Sequence, residues 1–501
     1  MKRKNHLYRS FGLLLVGCLL AYGLSELLVA VGPIAGYQVK AFNPLSDLLD
    51  TTATQSSETL SISLEESEDP FDPEPTSTDS TTAIDDSTNR TRVAVDTLPP
   101  LELSSRLMDY SEGQSALRRL RAALREGHTK AVRIAFVGDS FIEGDILVAP
   151  FRQALQQTYG GQGVGYVALT SPVARFRQSI QQRFEGAWQE TSANKNKSRT
   201  LFTLAETFAT ATAAASTSYK LKSAADRVTL HYVSDSIPVT ISYGINGGEQ
   251  QPVELPASHG ALAEYTLPHS GVKRVEIATE GGDGTRFYGV CFDGTTGVSV
   301  DNYSLRGSSG AKLNAVSSTL TAQLSRFRPY DLIILSYGLN VVSAQDNDDS
   351  YDWYYAAMAK SIEHIQQLYP HATILLMSLS DRATLREGEI HPLNGVARVL
   401  RIQHRLAQRY GLLFWNTHEA MASLGGIQGF VDKGWAAKDY THVSMAGGRQ
   451  LAKLLTADLI GDEEESVDTH QLCHHREPTP YGADAYGTAG ATARSPRRLS
   501  R

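Results

Sequence analysis

The segment Gly138-Asp139-Ser140 follows directly on the apolar run Val132 to Val137, which reads as a buried strand. A glycine there lets the chain leave the strand sharply. The next side chains are then exposed at its carboxyl end, where open α/β sheets place their sites. If a helix begins at once, its free N–H groups point at whatever binds over Ser140, a candidate nucleophile. Taken alone the tripeptide is common, and Asp139-Ser140 as a plain helix cap is the blander reading. The partner such a serine needs is supplied by Asp439-Tyr440-Thr441-His442, just before Ser444 and the helical stripe Leu451, Leu454 and Leu455. A neutral imidazole at His442 can take the serine proton, and a carboxylate at Asp439 can fix its tautomer and stabilise the imidazolium. The same Asp-x-x-His spacing would serve half a metal site, but no clear second half accompanies it.

Two further segments offer hydrogen-bond donors to a developing oxyanion. Gly338-Leu339-Asn340 follows the apolar run Leu332 to Ser336, so Asn340 should lie at the same sheet edge as Ser140, although a simple turn role is the alternative. The loop Asn302 to Gly310 is polar, glycine-rich and set before a helical pattern, and its backbone N–H groups could serve the same purpose. Four separate segments thus point to acyl transfer through a serine.

The elements that must position these residues alternate along the chain. Leu117, Leu120 and Leu124 form one stripe of a helix ending near Gly127. Strands are expected at 132–137, 332–336, 374–377 and 412–415, with helices at 312–325, 352–368 and 395–409. Short apolar strands separated by helices predict a parallel sheet covered on both faces. From 180 to 288 the period changes to two, as in Val228 to Tyr232 and Val239 to Tyr243, which predicts an antiparallel β domain inserted through a loop. Its Tyr232, Tyr243, Phe287 and Tyr288 could stack on sugars, but aromatics in strand patterns more often fill a core. The α/β domain is therefore expected over 101–179 and again over 289–460.

The two ends differ in kind. Lys2, Arg3 and Lys4 precede an apolar run from Phe11 to about Ala35, which reads as a signal anchor or export signal over 1–35. Leu15 to Cys18 also has the look of a lipoprotein processing box, but the run continues well past Cys18. Residues 36–100 become rich in Ser, Thr, Asp, Glu and Pro, the composition of an acidic disordered linker, and 461–501 form a polar tail. The tail's His470, Cys473, His474 and His475 lack anything to fix them around one ion. With 47 Lys+Arg against 54 Asp+Glu, the charge balance gives no sign of nucleic-acid binding. The three cysteines build no disulfide framework.

With these four segments in hand, the chain resembles the SGNH, or GDSL-like, hydrolase superfamily. The nucleophile block matches Gly138-Asp139-Ser140, with Phe141 where leucine often stands, and the second matches Asn302 through Gly307. The third matches Gly338-Leu339-Asn340, with Leu339 in place of a common polar residue, and the fourth matches Asp439 to His442. The resemblance implies a three-layer α/β/α domain with Ser140, Asp439 and His442 as catalytic residues. It makes Ser140 N–H, Gly307 N–H and the Asn340 amide the oxyanion donors, and it implies no metal or organic cofactor. The phrases Gly138 to Asp145 and Val300 to Gly310, together with the inserted β domain, are similar to exported bacterial proteins related to peptidoglycan O-acetylesterases, whose extra domain looks carbohydrate-binding. The expected activity is removal of acetyl groups from an O-acetylated glycan outside the cytoplasm, in the periplasm, by an enzyme tethered to or exported across the membrane. An O-acetyltransferase using the same serine beside an envelope acyltransferase partner, and a non-catalytic glycan-binding module, are the competing readings.

Overall fold

The structure, a computed structural model, describes residues 105–196, 198–342 and 351–461. The expected export segment, acidic linker and polar tail lie outside the described residues. Six strands form a mixed sheet in the order Gly297–Ser304, Ala131–Gly138, Leu332–Ser336, Thr373–Met377, Leu413–Trp415 and Leu107–Asp109. The first five are parallel, and Leu107–Asp109 closes the far edge antiparallel to Leu413–Trp415.

The strands are apolar along their length because both faces are covered. In Ala131–Gly138, Val132, Ile134 and Phe136 join one core, while Ala135 and Val137 join the other. Helices Ser115–Arg125, Val148–Tyr159 and Met445–Ile460 supply the first core, and helices Asp352–Leu368 and Asn394–Tyr410 the second. The buried stripe of Ser115–Arg125 is Ala116, Leu120 and Leu124, with Leu117 partly buried against the same core. The helix expected over 312–325 is split into a 3₁₀ turn, Leu313–Ala315, and the helix Ser318–Phe327. Ser317 divides them by capping: its hydroxyl accepts from Leu320 N–H at 3.1 Å.

The second unit is a nine-stranded antiparallel sheet. It reaches beyond the expected 180–288 at both ends, since Gly165–Val167 and Arg286–Asp293 both belong to it. Gly289, expected to mark the return to the α/β domain, lies inside the last of these strands. There the register shifts between Phe287 and Gly289, and the backbone takes a φ of +137°. A Cβ at Gly289 would stand 2.2 Å from the Tyr166 ring, so this glycine marks a bulge beneath an aromatic and not a boundary. Tyr232, Tyr243, Phe287 and Tyr288 are all buried and pack in hydrophobic cores.

Candidate active site

Register brings the site together. Gly138 lies opposite Ser304 on one side and Ser336 on the other, so three neighbouring parallel strands end at one level. Ser140, Gly307 and Asn340 follow those ends by two to four residues. The first strand of the parallel set lies between the second and the third, so the chain's connections diverge there, at the topological switch point where open sheets leave a crevice. Gly138 is required for closeness: a Cβ there would stand 2.5 Å from the Ser336 carbonyl oxygen.

His442 arrives from the other end of the chain on the loop that precedes helix Met445–Ile460. Ser444 caps that helix, its hydroxyl accepting from Gly447 N–H. Asp439 shapes the loop itself, with Oδ1 accepting from the Thr441 and His442 N–H groups at 2.9 and 3.0 Å. Its other oxygen lies 2.7 Å from His442 Nδ1, and His442 Nε2 lies 3.3 Å from Ser140 Oγ. A proton on Nδ1 held by Asp439 leaves the Nε2 lone pair facing the serine hydroxyl, the tautomer a general base needs. Partial burial pulls the Asp439 carboxyl up, but the hydrogen bonds from His442 outweigh it and hold the group below its ordinary value. Asp439 is thus an anion beside the ring.

The donors are arranged less simply than expected. Among the described residues, no protein acceptor takes the Ser140 or Gly307 N–H. The Asn340 amide, in contrast, donates to Asp139 Oδ2 and to the Ser308 carbonyl, each at 3.0 Å. For Asn340 to serve an oxyanion, one of these bonds must be shared or exchanged. Asp139 also accepts from Phe141 N–H at 2.9 Å, so one buried carboxyl ties the nucleophile turn to the Asn340 turn. Burial pushes this carboxyl up to about 7, against the hydrogen bonds it receives and the neighbouring His442. No α-helix begins at Ser140: a 3₁₀ turn, Glu143–Asp145, intervenes before helix Val148–Tyr159, so the expected bundle of free helical N–H groups is not aimed at the serine.

Two contributors were not picked out from the sequence. Arg382 donates from Nη1 to the Leu339 and Val342 carbonyls at 2.9 and 2.8 Å, and from Nε to Thr441 Oγ1 at 3.1 Å. It clips the Asn340 turn to the His442 loop. Its place just after Thr373–Met377, at the same sheet edge, was a usable signal. Asn194, from the antiparallel unit, donates to the Arg306 carbonyl at 2.8 Å, and no local pattern announces that contact. A cavity of about 860 Å³ opens beside Gly307 and Asn340 and is walled on its other side by Thr170, Gln182, Glu190 and Lys195. Among the described residues, no group of three or more His, Cys, Asp or Glu side chains is placed to hold a metal ion.

No protein-family model matches the chain, and no curated protein does. Solved structures do. A structure described as a peptidoglycan O-acetylesterase in action superposes with a TM-score of 0.58 at 22% identity, over 71% of this chain and 98% of that one. A GDSL-like lipase from Parabacteroides merdae matches at 12% identity and a TM-score of 0.27, over 32% of this chain and 73% of its own. A family two carbohydrate esterase from Cellvibrio japonicus matches at 14% and 0.23, over 56% and 98%. Only the first is alike enough in shape to bear on the argument, and at its identity what it establishes is architecture: the chain shares the fold of that structure, an α/β domain joined to an antiparallel β unit.

Proposed function

We propose that the protein is a serine esterase that removes O-acetyl groups from an extracytoplasmic glycan, with peptidoglycan as the substrate, through an acetyl-Ser140 intermediate. The observation that carries this reading is the hydrogen-bonded series Ser140, His442, Asp439 at the switch point of a parallel sheet. In the proposed reaction His442 takes the Ser140 proton as Oγ bonds to the acetyl carbon, and the carbonyl oxygen becomes an oxyanion held by Ser140 N–H, Gly307 N–H and Asn340. Collapse breaks the bond to the sugar oxygen, which leaves with the proton from His442. The same imidazole then deprotonates water, which releases acetate and restores the serine.

The cavity far exceeds an acetyl group, which favours a substrate with sugar units beside the ester. Likeness of fold to a structure named for peptidoglycan O-acetyl chemistry supports the choice of glycan. The basic and then apolar residues 1–35 support export and membrane attachment, with 36–100 as the spacer. Wild type should release acetate from O-acetylated peptidoglycan fragments and Ser140→Ala should not. Acetyl appearing on an added glycan acceptor would instead assign a transferase, and acetate release surviving in Ser140→Ala would remove the nucleophile.

A further inference from the structure

Gly307 N–H belongs to the peptide unit whose carbonyl is that of Arg306. This unit sits at the centre of a β-turn closed by Ser308 N–H donating to the Leu305 carbonyl at 3.1 Å. The positive φ of Gly307, +78°, is that of the third residue of a type II turn. The closing hydrogen bond of such a turn does not engage the central peptide. With glycine in the third position both orientations of that peptide are sterically open, type I and type II differing by its reversal. In a trans peptide the C=O and N–H point opposite ways, so whatever fixes the Arg306 oxygen fixes the direction of the Gly307 N–H.

That fixing contact comes from the other sheet. Asn194 Nδ2 donates to the Arg306 carbonyl at 2.8 Å, and its amide lies against Gly307, where a Cβ would approach Nδ2 to 3.6 Å. Asn194 is itself held. It lies in the 3₁₀ turn Ala193–Lys195, capped by Ser192, and its Oδ1 accepts from Arg199 at 3.4 Å. Arg199 is buried and paired with Glu206 at 3.0 Å, and Ala193 packs in one hydrophobic cluster with Leu305 of the turn.

We infer that Asn194 is a positioning residue for the oxyanion site, supplied by the antiparallel unit. Its amide locks the Arg306–Gly307 peptide with the N–H toward the site and, by polarising the carbonyl, strengthens that N–H as a donor. The inference rests on the serine esterase reading, since it assigns Gly307 N–H to the oxyanion.

The test uses the full chain and 4-nitrophenyl acetate, a small ester that does not need the glycan cavity. Asn194→Leu keeps the side-chain size without a donor, and Asn194→Asp also keeps a partner for Arg199. Removing a direct oxyanion donor costs about 10²–10³ in kcat, and loosening one should cost less. Both variants should therefore lose on the order of 10-fold or more in kcat, with KM within about twofold and an unchanged melting midpoint. A packing or tethering role would leave Asn194→Asp active, so either variant retaining kcat within about twofold overturns the inference. Wild type failing to turn over the ester would overturn the serine reading and this inference with it. An active wild type with unaffected variants overturns the inference alone.

Discussion

At the residue scale the site is a set of hydrogen bonds that each restrict one degree of freedom. Asp439 fixes the His442 ring, Arg382 fixes two loops against each other, and Asp139 joins the nucleophile turn to Asn340. Ser140, Asp439 and His442 were legible because their chemistry narrows the residue types and each follows or precedes a recognisable element. Asn194 was not, because its partner lies 112 residues away and an asparagine after a strand reads as a turn. Asp139 carries a testable consequence. Its folded carboxyl is raised from an ordinary 3.8 to about 7, so the native state holds a proton that the unfolded chain releases between these values. Its contribution to stability is greatest below pH 4 and is lost as pH rises through 7. An NMR titration of the labelled Asp139 carboxyl should show a midpoint near 7. A midpoint near 4 would mean that the buried carboxylate is stabilised more than its two hydrogen bonds provide.

At the scale of elements, the parallel strands were readable because burial on both faces leaves continuous apolar runs such as Leu332–Ser336. The segment after Ser140 was not, because its shape is set by a tertiary ion cluster. Asp145 is fully buried and accepts from Arg152 at 3.0 Å, Arg177 at 3.0 Å, Asn302 at 2.9 Å and Ser179. These partners come from the following helix, the neighbouring strand and the segment leading into the antiparallel sheet. A 3₁₀ turn is therefore held where local propensity would allow a helix. Burial alone would raise the Asp145 carboxyl, but Arg152 and Arg177 outweigh it and hold it well below the usual carboxylate range. Asp145→Asn leaves buried guanidinium groups without their anion and should destabilise the fold by about 3–5 kcal/mol at neutral pH. Because the stabilisation from a depressed carboxyl is lost as pH falls below 4, the gap between wild type and variant should narrow in acid. Denaturant unfolding at two pH values checks both, and a gap that widens in acid would contradict the assignment.

At the scale of the molecule, the antiparallel unit is built into the α/β unit and not merely appended to it. Only residues 294–296 separate strand Arg286–Asp293 from strand Gly297–Ser304. Arg328 bridges Asp293 of the first and Asp301 of the second at 2.7 Å each, and the Asp301 carboxylate also accepts from Tyr166 N–H at 2.8 Å. Phe202, Phe208 and Tyr288 share a hydrophobic cluster with Leu305, Val316 and Leu320. The alternation of period two announced a β unit, but this seam depends on contacts between distant segments that no window of sequence displays. The two sheets should therefore unfold together. Single-tryptophan variants keeping either Trp188, in the antiparallel sheet, or Trp415, in the parallel one, should report the same denaturant midpoint. Separate midpoints would show two independent folding units.

In the proposed reaction Ser140 carries the acetyl group between glycan and water. Wild-type protein mixed with O-acetylated peptidoglycan fragments, quenched in acid within the first turnover and digested, should yield the peptide containing Ser140 with one acetyl group on the serine. Acetate release at full rate with that peptide unmodified at every quench time, or with the acetyl group on another residue, would rule out that role for Ser140.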